Sequence, residues 1–167
     1  PRLPLKPVIA SVRAPIPESG GWAWFSLAER AVGAPTTADA DAAARAVLGW
    51  LDTLSYTTVS LLGFSQGAVT ALQALRLAPA RFSSIVALAG FVATGDAVGD
   101  EELASRRPPV FWGRGTDDAI IPADAIEQTE RWLPTHSRAT IRIYERLAHA
   151  VSSDELTDVA TFLHGCP

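Results

Sequence analysis

The chain has 167 residues, a formal net charge of -4 and 48% apolar residues, a profile that suits one folded domain over residues 1–167 and not a disordered segment. Lys and Arg are scattered and the adjacent pair Arg106 and Arg107 is too short to track phosphates, so no nucleic-acid partner is expected. Apolar runs such as IVALAGFVA are about half the length of a membrane span, no signal-peptide pattern opens the chain, and the single Cys166 can form neither an internal disulfide nor a thiolate metal cluster; a cytoplasmic protein with no membrane span is expected.

Short β-type runs alternate with longer alanine-rich helical ones, which predicts a mainly parallel sheet flanked by helices. PVIASV (7–12) reads as a strand and is followed by a Pro/Gly-rich loop, APIPESGGWAW. Residues 39–54 place Ala43, Val47, Leu48, Leu51 and Leu54 at helical spacing, with Thr37 or Asp39 available as a cap. TTVSLLGF (57–64) predicts a buried strand and QGAVTALQALRLA (66–78) a helix ending near Pro79. FSSIVALAG (82–90) and PPVFWG (108–113) predict strands, and PADAIEQTERWL (122–133) a helix with Pro122 in its opening turn. ATIRIYE (139–145) alternates with period two, and SSDELTDVATFLH (152–164) predicts a closing helix. Asp96, Asp100, Glu101 and Glu102 read as a solvated charged loop.

Gly63-Phe64-Ser65-Gln66-Gly67 matches G-x-S-x-G at the junction between a predicted strand and a predicted helix, the context of a nucleophile elbow. An unplaced match would more often be a helix cap at a tight turn; here the junction favours Ser65 as a nucleophile. The backbone N–H of Gln66, at the helix N-terminus, is positioned to donate to a developing oxyanion. A serine of this kind needs a base and an orienting acid, in the order Ser, Asp or Glu, His. His149 follows a predicted strand and so falls on the sheet edge that carries Ser65, whereas His136 precedes that strand and His164 ends a helix running back. The acid lies in FWGRGTDDAIIP, where Asp117 and Asp118 are adjacent and only one can easily hold the imidazole.

GFSQGA, then GTDDAIIP, then AHAV, in this order along the chain, resemble the phospholipase/carboxylesterase family of α/β-hydrolases, which includes acyl-protein thioesterases. The loop APIPESGGWAWFSL is similar to that family's proline-rich entry to a Trp-Phe pair. The resemblance implies an α/β-hydrolase fold, and the family's aspartate pattern, laid onto Gly115, Asp118, Ile121 and Pro122, selects Asp118 over Asp117. Ala148, Arg114 and Ser26 stand where family members usually carry Gly, His and Asp. Nothing before Pro7 resembles the family's first strand and His-Gly-rich oxyanion loop. The native polypeptide is therefore expected to extend upstream by on the order of 30 to 50 residues.

Trp24 and Phe25, with Trp22, occupy the loop that the resemblance places near the site, and with Phe91 they are candidates for a substrate-binding wall. Trp50 and Trp132 lie on predicted helices and read as packing residues. No cluster has metal-ligand spacing, and no cofactor is implied. The expected function is that of a serine carboxylic-ester hydrolase acting on a small-molecule ester or thioester through an acyl-enzyme on Ser65, with homodimerisation left open; the alternative is a non-catalytic hydrolase-fold protein that binds an acyl ligand or a protein partner.

Overall fold

The computed structural model describes residues 7–26 and 35–166. The residues before Pro7, and Leu27 in the loop after the Trp-Phe pair, lie outside the described residues. Four strands, β3 (Ser60–Phe64), β4 (Ser84–Leu88), β5 (Pro109–Gly115) and β6 (Arg138–Tyr144), form one parallel sheet in the order β3-β4-β5-β6. Ahead of them come the hairpin strands β1 (Ile16–Glu18) and β2 (Gly21–Ala23), paired antiparallel, and helix α1 (Thr37–Leu51). Helices α2 (Gln66–Leu77), α3 (Asp100–Arg106) and α4 (Ala123–His136) make the crossovers, and α5 (Ser153–Gly165) closes the chain.

The alternation along the strands sorts the core into two faces. Ile85, Ala87, Val110 and Trp112 point to one side, where they meet Val47 and Leu51 of α1, Leu72 and Leu75 of α2, and Leu133 of α4. Val86, Leu88 and Phe111 point to the other and meet Val159 of α5, with the Phe111 and Phe162 ring centroids 5.7 Å apart. Helices on both faces, as the sequence predicts, follow from that two-sided burial.

Several local expectations are corrected. Residues 7–12 form no strand: Val8 and Ile9 are 71% and 87% exposed, and among the described residues no strand offers the ladder hydrogen bonds an extended segment needs. The loop after them contains the β1–β2 hairpin, whose turn residues Ser19 and Gly20 take φ 50° and 77°, the left-handed pair that matches strand twist. β3 is an edge strand among the described residues, with Leu62 56% and Phe64 39% exposed, whereas β4, flanked by β3 and β5, is buried at every position. The α1 cap is Thr36: its hydroxyl accepts from Asp39 N–H at 3.2 Å while its own N–H donates to Asp39 Oδ2 at 3.0 Å, a reciprocal capping box. α1 ends at Leu51, ahead of Leu54.

Of the acidic segment that reads as a solvated loop, Asp96 is exposed in a loop, whereas Asp100, Glu101 and Glu102 form the first turn of helix α3, where they suit the positive end of the helix dipole. Asp100 is not a bystander there. It pairs with the buried Arg76 of α2 through Nε at 2.9 Å and Nη2 at 2.6 Å, and Arg76 further donates to the carbonyls of Ala93 at 2.9 Å and Gly95 at 2.6 Å. One guanidinium thus fastens the segment between β4 and α3 onto α2.

Candidate active site

Because the four strands are parallel, the loops that follow them share one sheet edge. β3 leads into Ser65, β4 into Phe91, β5 into Asp118 and β6 into His149. The elbow at Ser65 is tight. A Cβ on Gly63 would lie 2.1 Å from the carbonyl oxygen of Gly67, so the strand admits only glycine there; Gly67 itself has room, the nearest atom to its notional Cβ being Trp24 Nε1 at 3.7 Å. The crowding that the motif implies at both glycines therefore falls on the first.

Ser65 takes φ 55° and ψ −119° and its side chain makes no capping bond to α2, which sets aside the helix-cap reading. Its N–H donates to Leu88 O at 2.9 Å, and its carbonyl accepts from Ala68 N–H at 2.9 Å. A non-glycine residue at this positive φ persists only because its surroundings hold it, and here both neighbouring elements do. Oγ is thereby turned away from the helix and toward the β6 loop, where it donates to His149 Nε2 at 2.9 Å. His149 Nδ1–H donates to Asp118 Oδ2 at 2.8 Å, so the carboxylate fixes the tautomer that leaves Nε2 free to accept.

Asp118 is held as firmly as it holds. Its side chain is 2% exposed, and Oδ1 accepts from Ile120 N–H at 2.9 Å and Ile121 N–H at 3.2 Å. Burial raises the pKa of this carboxyl, but the hydrogen bonds from His149 and from the two backbone groups outweigh it and hold the acid below the usual carboxylate range. Asp117 is exposed and its carboxylate accepts from the Thr116 hydroxyl at 2.9 Å. The two loops that bring Asp118 and His149 together touch at Gly115, where a Cβ would lie 1.8 Å from Leu147 O.

The first N–H groups of α2 have no acceptor within the helix, and that of Gln66 stands next to Ser65. Trp24, Phe25 and Phe91 are brought together: Phe25 and Phe91 are buried with Val69 of α2 and Ile121 of the aspartate loop, and Trp24 packs against the same group. Trp50 and Trp132 pack against the core, as their helical positions predict. His136 stacks on Trp132 with centroids 4.3 Å apart, and His164 bonds the carbonyl of Ala160; neither joins the site. Among the described residues no group of three or more His, Cys, Asp or Glu side chains stands close enough to hold a metal ion.

Two contacts of the site go beyond the sequence reading. The Phe64 ring lies 4.9 Å from the His149 imidazole, tilted by 41°; the signal was a large aromatic immediately before the elbow serine. The Gln66 side chain bonds the backbone at Trp24 and Phe25, for which no sequence signal exists. Of the three departures from the family pattern, Arg114 pairs with Glu130 at 3.1 Å and Ser26 donates to Glu18 Oε1 at 2.8 Å, while Ala148 needs no special backbone.

Residues 10–166 match the family model described as Phospholipase/Carboxylesterase. The chain belongs to that family. It is 33% identical over 109 residues to "Acyl-protein thioesterase 1" of Candida albicans, a match covering 60% of this chain and 46% of that protein. Esterase PE8 superposes with a TM-score of 0.65 at 26% identity, covering 91% of this chain and 75% of that one. The carboxylesterase of Bacillus cereus superposes with a TM-score of 0.75 at 19% identity, covering 91% and 72%. These likenesses establish the α/β-hydrolase fold. The chain spans about half the length of the yeast thioesterases it matches, 46% and 51% for two of them. No helix among the described residues is long and apolar enough to cross a membrane.

Proposed function

We propose that the protein is a serine carboxylic-ester hydrolase that turns over esters or thioesters through an acyl-enzyme on Ser65. The observation that carries this reading is the unbroken chain of hydrogen bonds from Ser65 Oγ to His149 at 2.9 Å and from His149 to Asp118 at 2.8 Å. Family membership supports it as well. In the proposed cycle Ser65 Oγ attacks the acyl carbonyl as His149 Nε2 takes its proton, and the charge on the former carbonyl oxygen is met by the Gln66 N–H at the N-terminus of α2. His149 then gives the proton to the leaving alcohol or thiol. Water repeats the sequence in reverse roles and releases the acid. Asp118 stays ionised throughout and stabilises the imidazolium.

Trp24, Phe25 and Phe91 are assigned to the apolar wall against which the acyl or alcohol portion rests. The substrate is a small-molecule ester or thioester and not a nucleic acid, the composition favours a cytoplasmic setting, and a homodimer is compatible with this chemistry. Hydrolysis of p-nitrophenyl esters tests the reading: the wild-type protein is expected to turn them over with saturation, and Ser65→Ala to fall by orders of magnitude while its circular dichroism is retained. Near-native kcat in Ser65→Ala, or no turnover by the wild type, contradicts it.

A further inference from the structure

Gln66 is linked to the site twice over. Its backbone stands at the first turn of α2 beside Ser65, and its side chain reaches back across the sequence to the segment after β2: Oε1 accepts from Trp24 N–H at 2.8 Å and Nε2 donates to Phe25 O at 3.0 Å. β2 ends at Ala23, so these two bonds act where the hairpin ladder has stopped. The segment they hold lies directly on the elbow, with Trp24 Nε1 3.7 Å from the place a Cβ on Gly67 would take. Phe25, only 4% exposed, packs with Val69, Phe91 and Ile121.

We infer that the Gln66 side chain is a positioning residue that sets acyl-chain selectivity, by tying the Trp24–Phe25 backbone to the same helical turn that presents the nucleophile. The inference rests on the esterase reading and on the apolar wall assigned within it. The chemistry of the side chain suits the task. A primary amide offers one acceptor and donors on the same rigid plane, so a single residue satisfies an N–H and a C=O of an irregular segment. An ionised glutamate can only accept, and a lysine can only donate. The tether also fixes relative position: the wall cannot shift against Ser65 without breaking one of the two bonds. Discrimination of a single methylene in an acyl chain depends on such fixed contacts and amounts to roughly ten- to two-hundred-fold.

The test is the profile of kcat/KM against acyl length, from p-nitrophenyl acetate to octanoate, for the wild type, Gln66→Leu, Phe25→Ala and the double variant. Gln66→Leu is expected to flatten the profile, reducing the ratio between the best and worst acyl length by about fivefold or more, chiefly through KM. In the double variant this flattening is expected not to add to that of Phe25→Ala, since residues acting through one another are non-additive. Gln66→Glu, near-isosteric and able to accept from Trp24 N–H but not to donate to Phe25 O, is expected to flatten the profile in the same sense and less, which guards against a folding failure of the leucine variant. If Gln66→Leu and Gln66→Glu both lower kcat/KM by one common factor at every acyl length, the side chain acts only on stability or on the oxyanion, and the inference is overturned while the esterase reading stands. A wild-type protein that hydrolyses none of the esters overturns both.

Discussion

At Asp118 one oxygen accepts from Ile120 N–H and Ile121 N–H and the other from His149, so three hydrogen bonds fix the orientation of the carboxylate. Asp118→Asn keeps the shape but presents an amide where the imidazole N–H must be accepted, and kcat is expected to fall by about four orders of magnitude, the loss typical of a wrong tautomer. Asp117, exposed and with its carboxylate accepting from the hydroxyl of its neighbour Thr116, is expected to tolerate Asn with less than about a threefold change. Steady-state kinetics of the two variants check this, and the reverse ranking would move the role to Asp117. The residues themselves left this choice open, because two adjacent acids look alike in sequence; what separates them is a turn that aims two backbone donors at the second. The placement of Ser65 and His149 on one sheet edge is legible because it follows from strand order, and the two side chains stand 2.9 Å apart. The side-chain bonds of Gln66 are not legible, since their partners are backbone groups 42 and 41 residues away.

Helices α2, α3 and α5 show what governs the elements. Arg76 and Asp100 form a doubly bonded pair in which the guanidinium side chain is 1% exposed. Removing the acid strands a buried cation, so Asp100→Ala is expected to cost about 3 kcal/mol, read as a lower denaturant midpoint at constant m; a change below about 0.5 kcal/mol would show the pair to be dispensable. On α5, Glu155 is 1% exposed and its carboxyl oxygens have no hydrogen-bond partner among the described residues. Burial pushes its pKa up, offset only in part by the nearby backbone N–H of Ser152. The raised pKa means that Glu155 detracts nothing from stability below its unfolded pKa of ~4.3, and detracts progressively more as pH rises from there toward the folded pKa, because only the unfolded chain then releases the proton. Glu155→Gln removes that titration. Its stability relative to wild type is expected to rise with pH across this window, by at most ~1.4 kcal/mol per pH unit, and urea melts at several pH values measure it; a constant difference would show that Glu155 ionises normally. Patterning makes β4, β5, α1, α2, α4 and α5 readable, since their apolar residues pack in the core; β3 and β6 are readable as β-type runs although Leu62, Phe64 and Ile143 are exposed. The β1–β2 hairpin hid behind Pro17 and paired glycines, and α3 behind its charges, because each is held by turn geometry or a buried ion pair and not by an apolar stripe. Residues 7–12 show the converse: a strand-like run stays exposed and forms no strand when no ladder partner is present among the described residues.

Across the whole molecule, four parallel strands deliver their C-terminal ends to one edge, and the glycines at 63 and 115 let the backbone close in far enough for Ser65, His149 and Asp118 to meet. The same arrangement seats Trp24, Phe25 and Phe91 beside the elbow. Activation of one serine by this convergence is tested most directly by reacting the protein with a fluorophosphonate, digesting it, and locating the added mass by tandem mass spectrometry. A single stoichiometric adduct on Ser65, lost in His149→Ala, is expected. An unlabelled protein, or an adduct on any other residue with Ser65 left free, would contradict it.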